Sequence, residues 1–201
     1  MMNSKERVLV VERDRVPAAW LPEFGFVALS QKQFQKEINR WPLLFLPRDR
    51  AEDDEAYKQI IPYTVLLTDG GHLLCYQRKG TEKRLNELFS AGVGGHVNEE
   101  SDRRATFWET LRAGLRRELQ EECGLASSSI AFRGIINEHK TRVGRVHLGA
   151  VFSVTLERGQ IETLPLSEEL DLHHICSIET FLSQKKYEYW SGLALQLLVQ
   201  E

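Results

Sequence analysis

Cysteine is scarce in this chain. Only three occur among 201 residues, Cys75, Cys123 and Cys176. They are far apart, odd in number and form no CxxC pair. Neither a disulfide framework nor a zinc site is expected, and a reducing cytoplasm suits them. Charge of one sign is scarce too. The 29 acidic and 26 basic residues leave a net charge of −3, which gives no bulk attraction to nucleic acid or an anionic membrane. No apolar run approaches the ~20 residues of a membrane span. The opening "MMNSKERVLVVERDR" has too short an apolar run to read as a signal peptide. Repeats and low-complexity segments are absent. The glycine run "GVGGHV" lacks the Gly-Lys-Ser/Thr of a P-loop, fits no GxGxxG before a helix, and no GxSxG elbow occurs.

What is present reads as a globular domain. Apolar residues make up 42% and charged residues 27%, enough for one good-sized domain with an extension. Residues 1–55 read as an N-terminal extension packed on a main domain of 56–201. In the extension, "RVLVV" (7–11) predicts a strand and "AAWLPEFGF" (18–26) a break at Pro22 and Gly25. Residues 30–41 predict a helix with Ser30 as N-cap, and "PLLFL" (42–46) a short strand. Residues 47–57 are a charged linker or short helix. Residues 59–80 predict strand, turn, strand around Asp69-Gly70-Gly71, with Pro62 near the strand start. Strands are expected at 130–139, 146–156 and 170–176, with a basic loop "KTRVGR" (140–145). An amphipathic helix over 187–199 closes the chain. Strands before and after helices place the fold in the α/β (α+β) class.

The stretch "RRELQEECGL" (116–125) carries Glu118, Glu121 and Glu122 within five positions. On a helix these are i, i+3 and i+4, one face spanning about 100°. Thr106 and Glu109 are a candidate capping box that would start this helix near 107, with Thr110 a rival start, and Gly124 is its C-terminal stop, with Leu125 packing back. Leu111, Leu115 and Leu119 make its apolar stripe, which the three acids border. Gly114 inside the helix signals close packing. Carboxylates gathered at a partly buried position need compensation, and hard oxygen ligands suit Mg²⁺ or Mn²⁺. A solvated face of ion pairs is the other reading of such a run.

The flanks resemble the Nudix hydrolase box. Glu109, Arg117, Glu118, Leu119, Glu121, Glu122, Gly124 and Leu125 occupy every defined position from the first glutamate onward. The segment "RLNELFSAGVGGHVN" is similar to bacterial phosphoesterase-type Nudix proteins. The match departs at the box glycine, whose expected position holds Arg103. Gly95 is the best candidate, with thirteen residues between it and Glu109 rather than five, which implies an insertion of eight within "NEESDRRATFW".

The resemblance implies a Nudix α/β/α sandwich with a mixed central sheet, over about residues 59–200. It implies Mg²⁺ or Mn²⁺ held by Glu118, Glu121 and Glu122 with the Gly95 carbonyl, and Arg117 orienting the glutamates. It implies hydrolysis of a phosphoanhydride bond in a small diphosphate-linked metabolite by metal-activated water. The proton acceptor stays open among Glu118, Glu138 and the Glu168/Glu169 pair. Candidate phosphate contacts are Arg78, Lys79, Arg84, Arg142, Arg145 and His147, with His96 beside the glycines. Tyr76, Phe89 and Trp190 are candidate base-stacking rings. The His173-His174 pair reads as structural.

Two other readings compete. Isopentenyl-diphosphate isomerase shares the fold, but needs a cysteine where this chain has none between Cys75 and Cys123. A non-catalytic sensor on a Nudix fold would be expected to lose box glutamates, which are all kept here. The N-terminal extension is a candidate homodimer contact and shows no helix-turn-helix or basic stripe.

Overall fold

Strand β4 (Tyr57–Thr68) is the axis of the fold. The computed structural model describes residues 6–77, 88–125, 129–170, 173–184 and 186–200. β4 runs parallel to β9 (His147–Leu156), from Gln59↔His147 to Thr68↔Leu156. Its hairpin partner is β5 (Leu73–Gln77), closed by the turn at Asp69-Gly70-Gly71, where Gly71 has a positive φ of 76°. β8 (Ile130–Glu138) pairs antiparallel with β9, and a bulge falls between Phe132 and Gly134. The outer strands are β10 (His174–Cys176), beside β5, and β2 (Phe24–Ala28), beside β8. β1 (Arg7–Glu12), β3 (Leu44–Pro47), β6 (Phe89–Ser90) and β7 (Gly92–Gly94) complete a ten-stranded mixed sheet.

Alternation along the strands sends successive side chains to opposite faces. Leu74, Tyr76, Phe152 and Val154 join one core, which is covered by α1 (Gln31–Ile38) and α4 (Phe107–Cys123). Leu73, Cys75 and Val151 join the other, covered by α7 (Ile178–Leu182) and α8 (Tyr189–Val199). The result is the expected α/β/α sandwich. Residues 6–55 take part in it directly, since β1, β2 and β3 belong to the common sheet. Trp20, Phe34, Ile38 and Trp41 share a core with Leu111 and Leu115 of α4.

Several local expectations meet the structure differently. Ser30 does cap α1, in a full capping box with Gln33. Pro62, expected near a strand start, lies well inside β4. On the side away from β9, β4 pairs with β1 up to Gln59 and with β7 from Tyr63. Pro62 falls in the gap, where a missing N–H breaks no ladder on that side. The break expected over 18–26 contains the start of β2, because Gly25 fits a strand beside Asn137. Helix α8 is buried over residues 191–195 against the sheet, and its exposed positions, Tyr189, Gln196 and Val199, are mostly apolar, so the expected polar face is nearly absent.

Candidate active site

Helix α4 presents the acidic cluster. Thr106 caps it, accepting from the Glu109 N–H at 3.2 Å, while the Glu109 carboxylate accepts from Thr106 N at 3.2 Å. Glu109 is thus occupied by the cap. The Trp108 N–H donates to Asn39 Oδ1 at 3.1 Å, so the end of α1 satisfies another free donor of this helix. Gly124 ends α4 with a φ of 66°, and the Leu125 N–H closes back on the Leu119 carbonyl at 3.1 Å. Gly114 packs on Val97, 2.8 Å from where a Cβ would stand.

The inserted residues fold into α3 (Glu99–Asp102) and deliver a buried carboxylate. Asp102 is 1% exposed. Arg117 donates to it from Nε at 3.1 Å and from Nη2 at 3.0 Å, and Nη2 also donates to the His96 carbonyl at 2.7 Å. Arg117 Nη1 lies 2.8 Å from both Glu118 Oε1 and Glu121 Oε2. One guanidinium therefore ties the insertion, the glycine segment and two box glutamates together. Burial alone would lower the Arg117 guanidinium, but its bonds to Asp102 and the charge of Glu118 raise it.

The three glutamates differ in setting. The Glu118 side chain is 13% exposed and that of Glu121 is 55% exposed. Burial pushes the Glu118 carboxyl up to about 7. Arg117 opposes this, and Glu121 and Glu122 add to it. A Cβ on Gly95 would sit 2.4 Å from the Glu118 carboxyl carbon, so only a glycine lets the backbone approach this acid. Glu122 accepts from the Ser167 hydroxyl, while the Ser167 N–H donates to the Glu122 carbonyl at 2.9 Å. The three carboxylates do not yet converge. Among the described residues, only Cys75, His174 and Cys176 bring metal-ligating atoms within 4.8 Å of one another. Donor chemistry and the glycine cradle fit a hard divalent cation. Closing the set takes rotation of Glu121 from Arg117 and of Glu122 from Ser167.

These residues open onto a cleft of ≈ 1400 Å³. Gly95, His96, Arg117, Glu118, Glu122, Glu138, Arg142, His147 and Trp190 all line it, with Phe24 and Tyr189 also on its wall. His96 and His147 face each other with Nε2 atoms 3.5 Å apart. Burial holds His96 down at about 3 and lowers His147, so both are neutral at pH 7. His147 Nδ1–H donates to the Val143 carbonyl at 2.7 Å. Glu138 is 2% exposed, and Thr141 donates to both of its oxygens, from the backbone N–H at 3.0 Å and from the hydroxyl. The expected basic loop is the short helix α5 (Arg142–Val146), and Arg142 pairs with Asp53. Arg145 points to Glu55 at 2.6 Å. Arg78, Lys79 and Arg84 lie outside the described residues. Glu168 is exposed on the turn after Ser167. Tyr76 is buried and donates to the Gly92 carbonyl, and Phe89 packs on His174. Of the three candidate rings, Tyr76 and Trp190 line the cleft, and the Tyr76 hydroxyl is committed to the Gly92 carbonyl.

Sequence reading missed Asp102, Ser167 and Lys58, all of which act across long separations. Lys58 is buried and donates to Asn137 Oδ1, the Gly144 carbonyl and the His147 carbonyl, at 2.9, 2.9 and 3.1 Å. It fixes the turn that carries His147 beneath the cleft.

The fold and cleft can be set beside known proteins. No protein-family model matches the chain. The crystal structure of Tm1382, a candidate Nudix hydrolase, aligns with a TM-score of 0.77 and 32% identity, over 97% of this chain and 99% of that one. The chain belongs to the Nudix hydrolase family. Nudix hydrolases cleave phosphoric anhydride bonds. Protein YmaB of Bacillus subtilis (strain 168) is 36% identical over 121 residues, which span 57% of this chain and 58% of YmaB. At the level of fold alone, two further Nudix structures align. The MutT protein of Methanosarcina mazei Go1 has a TM-score of 0.53 and 19% identity, over 70% of this chain and 93% of that one. The Nudix domain of Shewanella oneidensis NrtR, complexed with ADP ribose, has a TM-score of 0.55 and 14% identity, over 71% and 87%.

Proposed function

We propose that this Nudix protein hydrolyses the diphosphate bond of a nucleoside-diphosphate-linked metabolite, with Mg²⁺ or Mn²⁺ held by Glu118, Glu121, Glu122 and the Gly95 carbonyl. The observation that carries the proposal is the contact of Gly95 with the half-enclosed Glu118 carboxylate, locked by Arg117, inside the cleft. A divalent cation there would polarise the phosphoryl oxygens and acidify a water.

The chain's own residues do the rest. Arg117 holds Glu118 and Glu121 in register, and Asp102 holds Arg117. Ser167 aims Glu122. Glu138, anchored by Thr141 in the cleft wall, takes the proton from the attacking water. His96, being neutral, offers one N–H to a phosphate oxygen without adding fixed charge, while His147, whose Nδ1–H is held by the Val143 carbonyl, turns an accepting Nε2 toward the His96 ring. Trp190, flanked by the exposed rings of Phe24 and Tyr189, stacks the base. The ADP ribose bound by the NrtR domain supports a ligand of that size on this fold.

The test is a panel of nucleoside triphosphates, ADP-ribose, NADH, dinucleoside polyphosphates and CoA. Phosphate and pyrophosphate release, and nucleotide products, are read with Mg²⁺, Mn²⁺ or EDTA. A double variant, Glu121→Gln with Glu122→Gln, serves as control. Metal-dependent cleavage that vanishes in the control is expected. A folded protein that binds no Mg²⁺ or Mn²⁺ at the cluster would overturn the proposal in favour of a sensor.

A further inference from the structure

Away from the cleft, the edge of the sheet gathers a second set of ligating atoms. β10 pairs antiparallel with β5, with His174 opposite Cys75 and Cys176 opposite Leu73. His174 and Cys176 are two residues apart, so both side chains share one face with Cys75. Cys75 Sγ lies 3.2 Å from His174 Nε2 and 3.1 Å from Cys176 Sγ.

We infer that Cys75, Cys176 and His174 bind one zinc ion, which pins the edge strand β10 to β5. Two thiolates and an imidazole form a soft-to-borderline donor set, which selects Zn²⁺ over the oxygen-seeking Mg²⁺. With Zn–S near 2.3 Å and Zn–N near 2.0–2.1 Å, a tetrahedral ion spaces its ligands roughly 3.5–3.8 Å apart. The three atoms reach this by opening about half an ångström. Both sulfurs are buried in the second core, whereas His174 is exposed. The ion thus has a closed floor, an entry path from solvent and a fourth position open to water. Binding converts two thiols to thiolates and releases two protons to solvent, with no change of oxidation state. Burial raises both thiols, so without a cation they stay protonated and unreactive.

The location gives the ion a structural task. β10 has only three residues and a single strand neighbour in the main sheet order, so backbone bonds alone hold it weakly. The chain runs from β10 through α7 directly to Tyr187, Tyr189 and Trp190 on the cleft wall. A zinc clamp at the start of this segment steadies the wall without entering the cleft. A disulfide between Cys75 and Cys176 is the rival use of the two sulfurs, but it leaves the imidazole without a role.

The test uses the reduced full-length chain with Co²⁺, then Zn²⁺, as probes. Thiolate-to-cobalt charge-transfer bands in the near ultraviolet, with tetrahedral bands in the visible, are expected and should be displaced by stoichiometric Zn²⁺. They should persist in the Glu121→Gln/Glu122→Gln variant, because a carboxylate site gives no thiolate bands. Cys176→Ser should abolish them. The exposed position of His174 makes His174→Ala a variant that folds, and it should weaken binding at least tenfold. Absence of thiolate bands in the wild type, or unchanged affinity in His174→Ala, overturns the inference. So does a Cys75–Cys176 disulfide that forms in place of metal uptake under a glutathione buffer of cytosolic poise.

Discussion

Arg117 donates to both oxygens of Asp102, a carboxylate supplied by the inserted helix and enclosed almost completely. The insertion is thus the second support of the glutamate cluster.

Replacing Asp102 by Asn removes the most buried of the three carboxylates around the Arg117 guanidinium and leaves Glu118 and Glu121 to balance it. Losing this charge-assisted pair costs roughly 1–3 kcal/mol, which urea unfolding would measure. Metal affinity at the cluster should fall about 10- to 100-fold, as expected when a group orienting metal ligands is removed. Unchanged Mn²⁺ binding by calorimetry would show that Arg117 holds its place alone.

Gly95→Ala should separate chemistry from folding. The added methyl meets the end of the Glu118 side chain, which can swing away. Stability should change by about 1 kcal/mol or less, in the range of tolerated substitutions. Hydrolysis should fall by at least 10²-fold, because the acid is displaced. Gly94→Ala is the contrast, since its methyl would stand 2.2 Å from the Pro62 carbonyl oxygen. That variant should lose stability, not only activity.

Glu138→Gln tests the proton acceptor. The amide keeps the shape and loses the base. A fall of kcat by about 10²–10⁴ is expected. Thr141→Val removes the hydroxyl bond to the same carboxylate, keeps the backbone one, and should reduce kcat by a smaller factor. If Glu138→Gln keeps full activity, Glu138 serves only to hold the α5 turn.

Lys58 predicts the dependence of stability on pH. Burial lowers its ammonium from the ordinary 10.5 to about 7. Below about 7 both folded and unfolded chains carry the proton, and the burial cost is fully present. Between about 7 and 10.5 only the unfolded chain binds it, so stability rises with pH, by up to ~1.4 kcal/mol per unit. The three carbonyl acceptors favour the ammonium and make the measured rise shallower. Chemical denaturation at pH 7, 8 and 9 reads the slope. Lys58→Met should flatten it and lower stability at every pH, because the three acceptors lose their donor.

The helix that carries the cluster was legible in the sequence because its signals are local. Thr106 and Glu109 lie three apart, the glutamates lie at i, i+3 and i+4, and Gly124 follows at once. The supports were not legible. Asp102 reaches Arg117 across a loop, Ser167 reaches Glu122 from the far side of β9, and nothing in their neighbours marks either. Cys75, His174 and Cys176 show the same limit most clearly. Their spacing along the chain argues against a metal site, and only the pairing of β10 with β5 places them together. Pro62 was misplaced for a related reason, because whether a strand tolerates proline depends on which partner lies opposite.

The parallel ladder between β4 and β9 also governs how the molecule is made. Its bonds join Gln59 to His147 and everything after them in step, so the central strand pair cannot form until β9 has been synthesised. Until then, among the described residues, the apolar stretch from Ile60 to Leu67 has only β5 and β7 as strand partners. Long-range parallel pairing is slow to nucleate and leaves such strands open to wrong contacts on the ribosome. The nascent chain should therefore be a chaperone client until residue 156 emerges. Refolding yield should depend on protein concentration more steeply than the stability of the finished fold would suggest.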